Sequence, residues 1–224
     1  MTLEFWLLQQ AVTARQMTGA AAGDTFVNVS FDQFRESLDR LAVERLEAYL
    51  ALILKWNARI NLTAVRDPDD IVQRHFVECI FAAAQIPANV KTLLDFGSGA
   101  GLPGIPIAIC RPEIGVTLAE SQGKKAAFLR EAVRTLGLTA EVWDRRVEQM
   151  PPQRVFDAVT LRAVDKMAEA CAAAVQRLAP GGSLMAFATR KTEAALEGLP
   201  GVEWRNGLPV PGSDHGILKI GRRN

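Results

Sequence analysis

The sequence predicts an α/β fold, in which a mostly parallel β-sheet carries helices on both faces and follows a small helical segment. Three observations predict it. The chain has 224 residues, 49% of them hydrophobic, which is enough to bury a full core. After Pro87, short apolar runs alternate with segments of helical length, as in strand–helix–strand units. Before Pro87, apolar residues recur at helical spacing instead.

The chain before Pro87 divides into a leader and a helical subdomain. Residues 1–29 have no clear periodicity, so we expect a poorly ordered leader. Ser30 and Gln33 fit a capping box, after which largely helical spacing predicts one or two amphipathic helices. A further helix is expected to begin at Asp67, because Pro68 and two acidic residues suit the first turn of a helix. We therefore predict a helical subdomain over residues 30–87.

Residues 88–224 form the predicted sheet domain. Apolar runs predict strands at 91–96, 115–119, 140–144, 156–161, 182–188 and 215–220. Helices are expected between them, near 103–110, 122–137 and 165–178. Strands separated by helix-length segments favour parallel pairing, with the helices covering both faces of the sheet.

Composition and charge exclude several classes of protein. The longest apolar candidate near the amino terminus, residues 5–8, is far too short to span a membrane, so we expect a cytoplasmic protein. The net charge of +1 divides unevenly. Residues 1–87 carry 8 Lys and Arg against 11 Asp and Glu, and residues 88–224 carry 18 against 14. This asymmetry is too mild to establish a nucleic-acid partner, because an RNA-binding face needs only a local basic patch.

The cysteines do not predict a disulfide framework or a metal site. Cys79, Cys110 and Cys171 are an odd number, widely spaced, and the chain has only two histidines to accompany them as ligands. We therefore expect small buried apolar residues at these positions and no metal.

A glycine-rich stretch follows the first predicted strand. The strand ends at Phe96, and residues 97–101, Gly-Ser-Gly-Ala-Gly, form the turn before the next helix. Glycine permits positive φ and lets a ligand approach the backbone closely. Pro103 and Pro106 fit the opening turn of the helix, where N–H groups have no intrahelical partner. The stretch therefore predicts a ligand-binding loop.

Two kinds of cofactor are compatible with this loop. Gly99, Gly101 and Gly104 match G-x-G-x-x-G, so a nicotinamide-dependent oxidoreductase stays available. However, Asp95 stands two residues before Gly97, where its carboxylate would repel a pyrophosphate and attract a cation. S-adenosylmethionine carries an ammonium and a sulfonium and has no phosphate. The acidic residue therefore favours S-adenosylmethionine.

The stretch Asp95–Gly101 resembles the first motif of class I methyltransferases, an acidic residue followed by alternating glycines. Further features occur in the expected order. Glu120 closes the second strand, where a carboxylate would accept the two ribose hydroxyls. Val147 and Glu148 follow the third strand and would bracket the adenine. Residues 178–182, Leu-Ala-Pro-Gly-Gly, resemble the turn before the fifth strand of this superfamily.

The methyl acceptor is approached by exclusion. Methylation of cytosine C5 needs a thiol nucleophile, but none of the three cysteines follows a proline near a strand end. Methyltransferases that act on an exocyclic amine typically carry Asn or Asp followed by Pro-Pro and an aromatic residue after the fourth strand. Here the fourth strand, 156–161, runs into Arg162-Ala163-Val164 instead. A ring nitrogen such as guanine N7 has an in-plane lone pair and needs no base, so catalysis reduces to alignment.

Several additional motifs occur in order between residues 38 and 185. They are Lys55-Trp56-Asn57, Asn61-Leu62-Thr63, Arg66-Asp67-Pro68, Arg74-His75, the loop 97–106, Ser121-Gln122-Gly123-Lys124, Phe128-Leu129, Arg146-Val147-Glu148 and Arg162-Ala163. In this combination the chain resembles the bacterial rRNA small-subunit methyltransferase G family, also called glucose-inhibited division protein B. The resemblance implies a class I methyltransferase Rossmann-like sheet with an antiparallel C-terminal strand. It also implies methylation of guanine N7 in the 530 loop of 16S rRNA, with 16S rRNA or the 30S subunit as partner. Separately, we expect a monomer.

The resemblance also assigns site residues. The family's cofactor-contact positions fall on Gly97, Leu102, Val147, Glu148 and Arg162, beside the motif residues Asp95, Gly99, Gly101 and Glu120. Arg162 is in addition the catalytic candidate, since it would orient the acceptor. The candidates for phosphate contact are Arg66, Arg74, His75, Lys124, Lys125 and Arg146.

The chain departs from the family at the end of the fifth strand. Members usually carry Lys-Gly there, whereas residues 188–192 read Ala-Thr-Arg-Lys-Thr. Arg190 and Lys191 are the candidate substitutes for RNA contact. This departure keeps open a third hypothesis beside the methyltransferase and the oxidoreductase. The protein would then be a non-catalytic RNA-binding assembly factor that retains the cofactor fold.

Overall fold

A computed structural model describes residues 31–163 and 167–224. The leader predicted for residues 1–29 lies outside the described residues. The helices are α1 Phe31–Glu36, α2 Arg40–Asn57, α3 Pro68–Ile71, α4 Val77–Gln85, α5 Gly104–Cys110, α6 Gly123–Thr135, α7 Met167–Val175 and α8 Arg190–Glu197. A π-helical turn, Val72–Phe76, joins α3 to α4, and a 3₁₀ turn, Val147–Gln149, follows the third strand.

The strands form one mixed sheet. They are β1 Thr92–Phe96, β2 Gly115–Ala119, β3 Glu141–Trp143, β4 Phe156–Leu161, β5 Leu178–Thr189, β6 Val202–Trp204, β7 Leu208–Pro209 and β8 Gly216–Arg223. Their order is β3-β2-β1-β4-β5-β8-β6, and β7 pairs with β8. The first five strands pair in parallel, and β8 is antiparallel to β5. This topology confirms the predicted fold class.

The strand order reverses between β1 and β4, and this reversal fixes where a ligand can bind. The chain runs outward from β1 through β2 to β3, and then returns to β4 on the other side of β1. In open α/β sheets, the connections leaving two such strands separate and leave a crevice at the carboxyl ends. The residues that follow β1, β2 and β4 are therefore the first place to look for a site.

Side chains alternate between the two faces of the sheet and build two apolar clusters. Leu93 belongs to the cluster that includes α2, α4 and α5, whereas Leu94 belongs to the cluster that includes α7. Cys79 and Cys171 are each fully buried in one of these clusters. The first cluster joins the helices before Pro87 to the sheet. The predicted subdomain boundary at residue 87 stays a prediction.

Two helix starts show how local sequence dictates these elements. Asp39 precedes α2 and accepts a hydrogen bond from the Ala42 N–H at 2.7 Å, which satisfies a donor that has no intrahelical partner. Asp67 accepts from the Asp70 N–H at 3.0 Å, with Pro68 in the first position of α3, as the sequence predicts.

The carboxyl-terminal part differs from the sequence prediction in three respects. Strand β5 begins at Leu178 rather than at residue 182, so the Pro-Gly-Gly segment lies inside the strand. Helix α8 was not predicted, although Thr189 and Thr192 form a reciprocal capping box at its start. The strands β6 and β7 were also not predicted. They have three and two residues, which is too few for a detectable alternation of polar and apolar side chains.

Candidate functional site

The glycine loop, residues 97–101, leaves the carboxyl end of β1. Gly97, Gly99 and Gly101 have φ values of 72°, 56° and 85°, a region that side-chain-bearing residues rarely adopt. The loop is anchored to the sheet, since the Ser98 N–H donates to the Ala119 carbonyl at 2.9 Å. The alternating glycines of the sequence are therefore required by the backbone conformation of this loop.

Helix α2 covers the glycine loop. The Tyr49 hydroxyl donates to the carbonyl of Ala100, and the Tyr49 ring stacks on Phe76 with centroids 5.4 Å apart. A Cβ on Gly101 would lie 3.0 Å from the Tyr49 hydroxyl oxygen and 2.5 Å from Ile105. The helices before the sheet thus contribute directly to the shape of the loop.

Asp95 lies beneath the loop and is only 1% exposed. Its Oδ1 accepts from the Thr160 hydroxyl at 2.9 Å, and its Oδ2 accepts from the Gly104 N–H at 3.2 Å. A Cβ on Gly104 would lie 2.7 Å from Oδ2 and 2.4 Å from Leu118, so α5 approaches the sheet as closely as glycine allows. Asp95 therefore ties the start of α5 to β1 and β4.

Burial raises the pKa of Asp95 to about 6, although the hydrogen bonds from Ser98, Thr160 and Gly104 favour the charged form. At neutral pH the site thus holds a buried negative charge beneath the glycine loop. Its oxygens point to Thr160 and Gly104, so the geometry supports a loop-holding role. The predicted contact between Asp95 and a bound cofactor stays a prediction.

Glu120 follows β2 and forms hydrogen bonds with three neighbouring segments. Its Oε2 accepts from the Gly99 N–H at 3.0 Å, and its Oε1 accepts from the Gln122 N–H at 2.7 Å. The Glu120 N–H in turn donates to the Trp143 carbonyl at 3.0 Å, which places the end of β3 beside it. A carboxylate has about four lone-pair positions, so Glu120 retains capacity for hydroxyl donors.

The predicted adenine-bracketing residues lie on the 3₁₀ turn after β3. Val147 is 5% exposed and packs in the second apolar cluster, whereas Glu148 is exposed. Leu102, the remaining predicted cofactor contact, is also buried, and it follows the glycine loop. The turn therefore lies on the β3 side of Glu120, as an adenine-binding segment would require.

Arg162 follows β4 and is held by two residues from before the sheet. Its Nη2 and Nε donate to the same oxygen of Glu78, Oε2, at 2.8 Å and 3.1 Å. Its Nη2 also lies 2.7 Å from Nδ1 of His75. The Arg162 and Glu78 side chains are 15% and 18% exposed, so this ion pair is largely screened from water.

His75 has both ring nitrogens engaged. Its Nε2 lies 3.0 Å from the Thr63 hydroxyl, while Nδ1 faces Arg162. Burial and the positive charge of Arg162 lower the pKa of His75 to about 4, so the ring is neutral at physiological pH. Because a guanidinium can only donate, Nδ1 accepts and Nε2 carries the proton. This arrangement favours a positioning role over the predicted phosphate contact.

The helix that carries His75 contains two features that the sequence reading missed. His75 lies in the π-helical turn, an irregularity that is frequent at functional sites. Glu78 is not among the site residues predicted from the sequence. Its position three residues after His75 places both side chains on one helix face, and that spacing was a usable signal.

A basic groove lies between the end of α2 and the start of α6. It has a volume of about 440 Å³, and its charged lining residues are all cationic: Arg59, Arg66, Lys124 and Lys125. Arg66 donates to the Asn57 carbonyl at 3.1 Å and to Oδ1 of Asn61 at 3.1 Å. The structure thus brings together three predicted phosphate contacts and adds Arg59, which the sequence reading did not single out.

The other predicted phosphate contacts lie apart from the basic groove. Arg74 is exposed and pairs with Asp70 at 3.7 Å. Arg146 is exposed before the 3₁₀ turn, and Arg190 is exposed at the start of α8. The side chain of Lys191 lies outside the described part of the structure. These four residues remain predictions.

Residues 31–163 and 167–224 contain neither a candidate metal site nor a membrane-spanning helix. Within these ranges, no three His, Cys, Asp or Glu side chains are placed to hold a metal ion. Across the same ranges, every helix is too short or too polar to cross a membrane.

Comparison with known proteins shows the family. The family described as rRNA small subunit methyltransferase G matches residues 42–202. A ribosomal RNA small subunit methyltransferase G from Xanthomonas campestris pv. campestris is 44% identical over 184 residues, 80% of this chain and 85% of the relative. The same-named protein of Stenotrophomonas maltophilia is 45% identical over 151 residues, 67% and 70% of the two chains.

Solved structures show the same fold at low sequence identity. The M. jannaschii TYW2 protein in complex with AdoMet has a TM-score of 0.55 at 16% identity, covering 75% of this chain and 80% of that one. A SAM-dependent methyltransferase from Aquifex aeolicus has a TM-score of 0.54 at 16% identity, covering 70% and 94%. Both similarities support a class I Rossmann-like fold.

Proposed function

From the premise that the chain belongs to the rRNA small subunit methyltransferase G family and is an rRNA methyltransferase, we propose that it transfers a methyl group from S-adenosylmethionine to guanine N7 in the 530 loop of 16S rRNA. The observation that carries the cofactor assignment is the position of Glu120. Its carboxylate accepts from the glycine loop and from Gln122 before α6, and its backbone N–H donates to the end of β3, so two segments assigned to the cofactor, the glycine loop and the segment after β3, meet at this residue.

The residues of this site fit S-adenosylmethionine. Glu120 would accept hydrogen bonds from the ribose hydroxyls, and Val147 and Glu148 would flank the adenine. The glycine loop, with the buried charge of Asp95 beneath it, would face the positively charged methionine part. When bound, this cofactor supplies an electrophilic methyl group on a sulfonium.

The reaction requires alignment rather than proton transfer. Guanine N7 would supply the lone pair for the new bond to the methyl carbon, and the sulfur of a bound S-adenosylmethionine would keep the electron pair of the carbon–sulfur bond that breaks. No proton leaves the guanine, so a site without a general base suffices. Arg162 lies at the carboxyl end of β4, fixed by Glu78 and His75, and we assign it the orientation of the acceptor nucleotide.

The basic groove is proposed to bind the RNA backbone. Phosphate contacts make RNA binding dependent on salt. For single strands, each contact contributes about −0.7 to the slope of log K against log salt concentration. A Lys124→Ala, Lys125→Ala double variant should therefore lower the slope of log K against log salt concentration by about 1.4. Filter binding of 16S rRNA measures it, and an Arg40→Ala, Arg45→Ala variant is the control of equal charge. An unchanged slope would remove the groove from the RNA interface.

The reaction itself is tested in cells and with purified components. In a strain lacking the gene, guanine N7 methylation in the 530 loop should disappear and should return with the wild-type gene. An unmodified loop in the parent strain would refute the proposal. Purified enzyme should transfer label from radioactive S-adenosylmethionine to 30S subunits or naked 16S rRNA. Absence of transfer to any rRNA substrate would support the non-catalytic assembly factor instead.

The nicotinamide alternative is not favoured by the family. Calorimetry compares the two ligand classes directly, since S-adenosylhomocysteine should bind and NADPH should not. Tighter binding of NADPH would reverse the cofactor assignment.

A further inference from the structure

A second cavity opens at the carboxyl edge of the sheet, on the β4 and β5 side. Its volume is about 350 Å³, within the range of about 300–1,000 Å³ that is usual for small-ligand sites. We call it the β5 cavity. Its walls include the apolar side chains of Met167, Phe187 and Ile217, and its polar lining includes Glu78 and Thr189. Neither the proposed cofactor site nor the basic groove uses these walls.

The β5 cavity adjoins the catalytic candidate. Ala163 lines it and directly follows Arg162, and Glu78 lines it while holding the Arg162 guanidinium. Its far wall is formed by Ile217 of β8, which pairs in register with Ala188 of β5. The cofactor-binding loop leaves β1, the strand next to β4. A ligand in the β5 cavity would therefore lie across Arg162 from the proposed cofactor.

The backbone at the cavity mouth has an unusual conformation. Ala163 has a φ of 50°, and it is the one residue with a side chain among those described, 31–163 and 167–224, that adopts positive φ. Such conformations cost free energy and persist where the surrounding structure imposes them, often at ligand-binding positions. The turn after β4 is thus bent sharply where it separates Arg162 from the cavity.

The chemistry of the lining suits a purine with hydrogen-bond donors on one edge. Nucleobases removed from a stack are recognised by stacking on aromatic or apolar side chains and by hydrogen bonds to the Watson–Crick edge. Phe187 and Met167 supply apolar surface. Both bonds from Arg162 reach Oε2 of Glu78, and a carboxylate can accept further hydrogen bonds. Guanine presents N1–H and N2–H donors on that edge, whereas adenine presents an N1 acceptor.

We propose that the β5 cavity binds the flipped target guanine, with Phe187 against the base plane and Glu78 accepting from its Watson–Crick edge. This inference rests on the proposed function and identifies the base selectivity of the same site. Recognition through N1–H and N2–H leaves N7, on another edge of the base, open to methylation. Glu78 then has two tasks, holding Arg162 and selecting guanine over adenine.

The test measures nucleotide binding to the full chain saturated with S-adenosylhomocysteine. The probes are GMP, IMP and AMP, followed by saturation-transfer NMR. GMP should bind at least about fivefold tighter than IMP, which lacks the N2 amine, and tighter still than AMP. Phe187→Ala should weaken GMP binding by roughly 5- to 150-fold, the usual range for loss of base stacking. The control Phe34→Ala removes an equally half-buried phenylalanine of α1 and should leave GMP binding unchanged.

Glu78→Gln tests the selectivity separately. The amide keeps a carbonyl oxygen for Arg162, but it can also donate to adenine N1, so the preference for GMP over AMP should fall. S-adenosylhomocysteine affinity reports folding of Phe187→Ala and Phe34→Ala and should match wild type, whereas thermal unfolding reports folding of Glu78→Gln.

Two results overturn the inference: equal binding of the three nucleotides, or GMP affinity that Phe187→Ala leaves intact. Guanine-selective binding without methyl transfer to rRNA would instead overturn the proposed function and leave the cavity assignment standing.

Discussion

The buried charge of Asp95 yields a quantitative prediction for stability. Burial raises its pKa from the ordinary 3.8 to about 6, so the folded protein binds a proton more tightly than the unfolded chain does. For an acid with a raised folded-state pKa, stability is lost as pH rises from about 4 to about 6, and the loss is complete above that window. This difference between the two pKa values corresponds to a loss of about 3 kcal/mol of folding stability at neutral pH.

The perturbation is Asp95→Asn, which keeps the shape of the side chain. The amide oxygen can accept from the Gly104 N–H and the amide nitrogen can donate to the Thr160 hydroxyl, so both partners of Asp95 are retained. The variant has no charge to bury. The free energy of unfolding of the variant minus that of wild type should therefore increase by about 2 kcal/mol from pH 4.5 to pH 7.5. The increase is smaller than the full loss of about 3 kcal/mol because wild type has already lost part of its stability at pH 4.5.

The assay is urea unfolding of both proteins at the two pH values. The effects of the substitution that do not depend on pH cancel in the comparison, as do the titrations of all other groups. A difference that stays constant within about 0.5 kcal/mol would refute the assignment of a buried charge at this position. Calorimetry with S-adenosylhomocysteine on the same variant shows separately whether the carboxylate contributes to cofactor binding.

Three further predictions follow from the site geometry. Gly104→Ala should destabilise the protein by about 1–3 kcal/mol because its Cβ would overlap Leu118 and Asp95, whereas Gly123→Ala, with open space around its Cβ, should not; thermal unfolding compares the two, and equal effects would contradict the close packing of α5. His75 should be neutral and protonated on Nε2 at pH 6 in ¹H–¹⁵N NMR spectra, and a ring that gains a proton above pH 6 would contradict its lowered pKa. Glu120→Ala should weaken S-adenosylhomocysteine binding at least about tenfold because charge-assisted bonds to two backbone N–H groups are lost, and unchanged affinity in calorimetry would show that the ligand binds elsewhere.

The sheet and the glycine loop could be predicted because their signals are local. Strands β1, β2 and β4 are short, largely apolar runs, and glycines at alternating positions require a particular backbone within a single turn. Strand β5 was placed too late because Pro-Gly-Gly is typical of a turn, whereas pairing between Leu178 and Phe156 extends the strand across it. Tertiary pairing here outweighs the local preference.

The orientation of the site residues could not be predicted, because it depends on contacts between distant parts of the chain. His75 and Arg162 are 87 residues apart in sequence, and only the tertiary fold brings the π-helical turn and the residue after β4 together. The sequence predicts Asp95 at the start of the loop, but no local pattern indicates that its oxygens point inward to Thr160 and Gly104. A motif identifies the residue types, and the direction of each side chain is decided by its neighbours.

The hydrogen bond from the Tyr49 hydroxyl to the Ala100 carbonyl limits how far the chain can be shortened without uncovering the glycine loop. The glycine loop is covered by α2, a helix that precedes the sheet, and the same tyrosine stacks on Phe76. A chain cut back to residues 88–224 would lose both aromatic rings and leave the glycine loop without the helix that covers it. The minimal working unit is therefore larger than the sheet and its own connections.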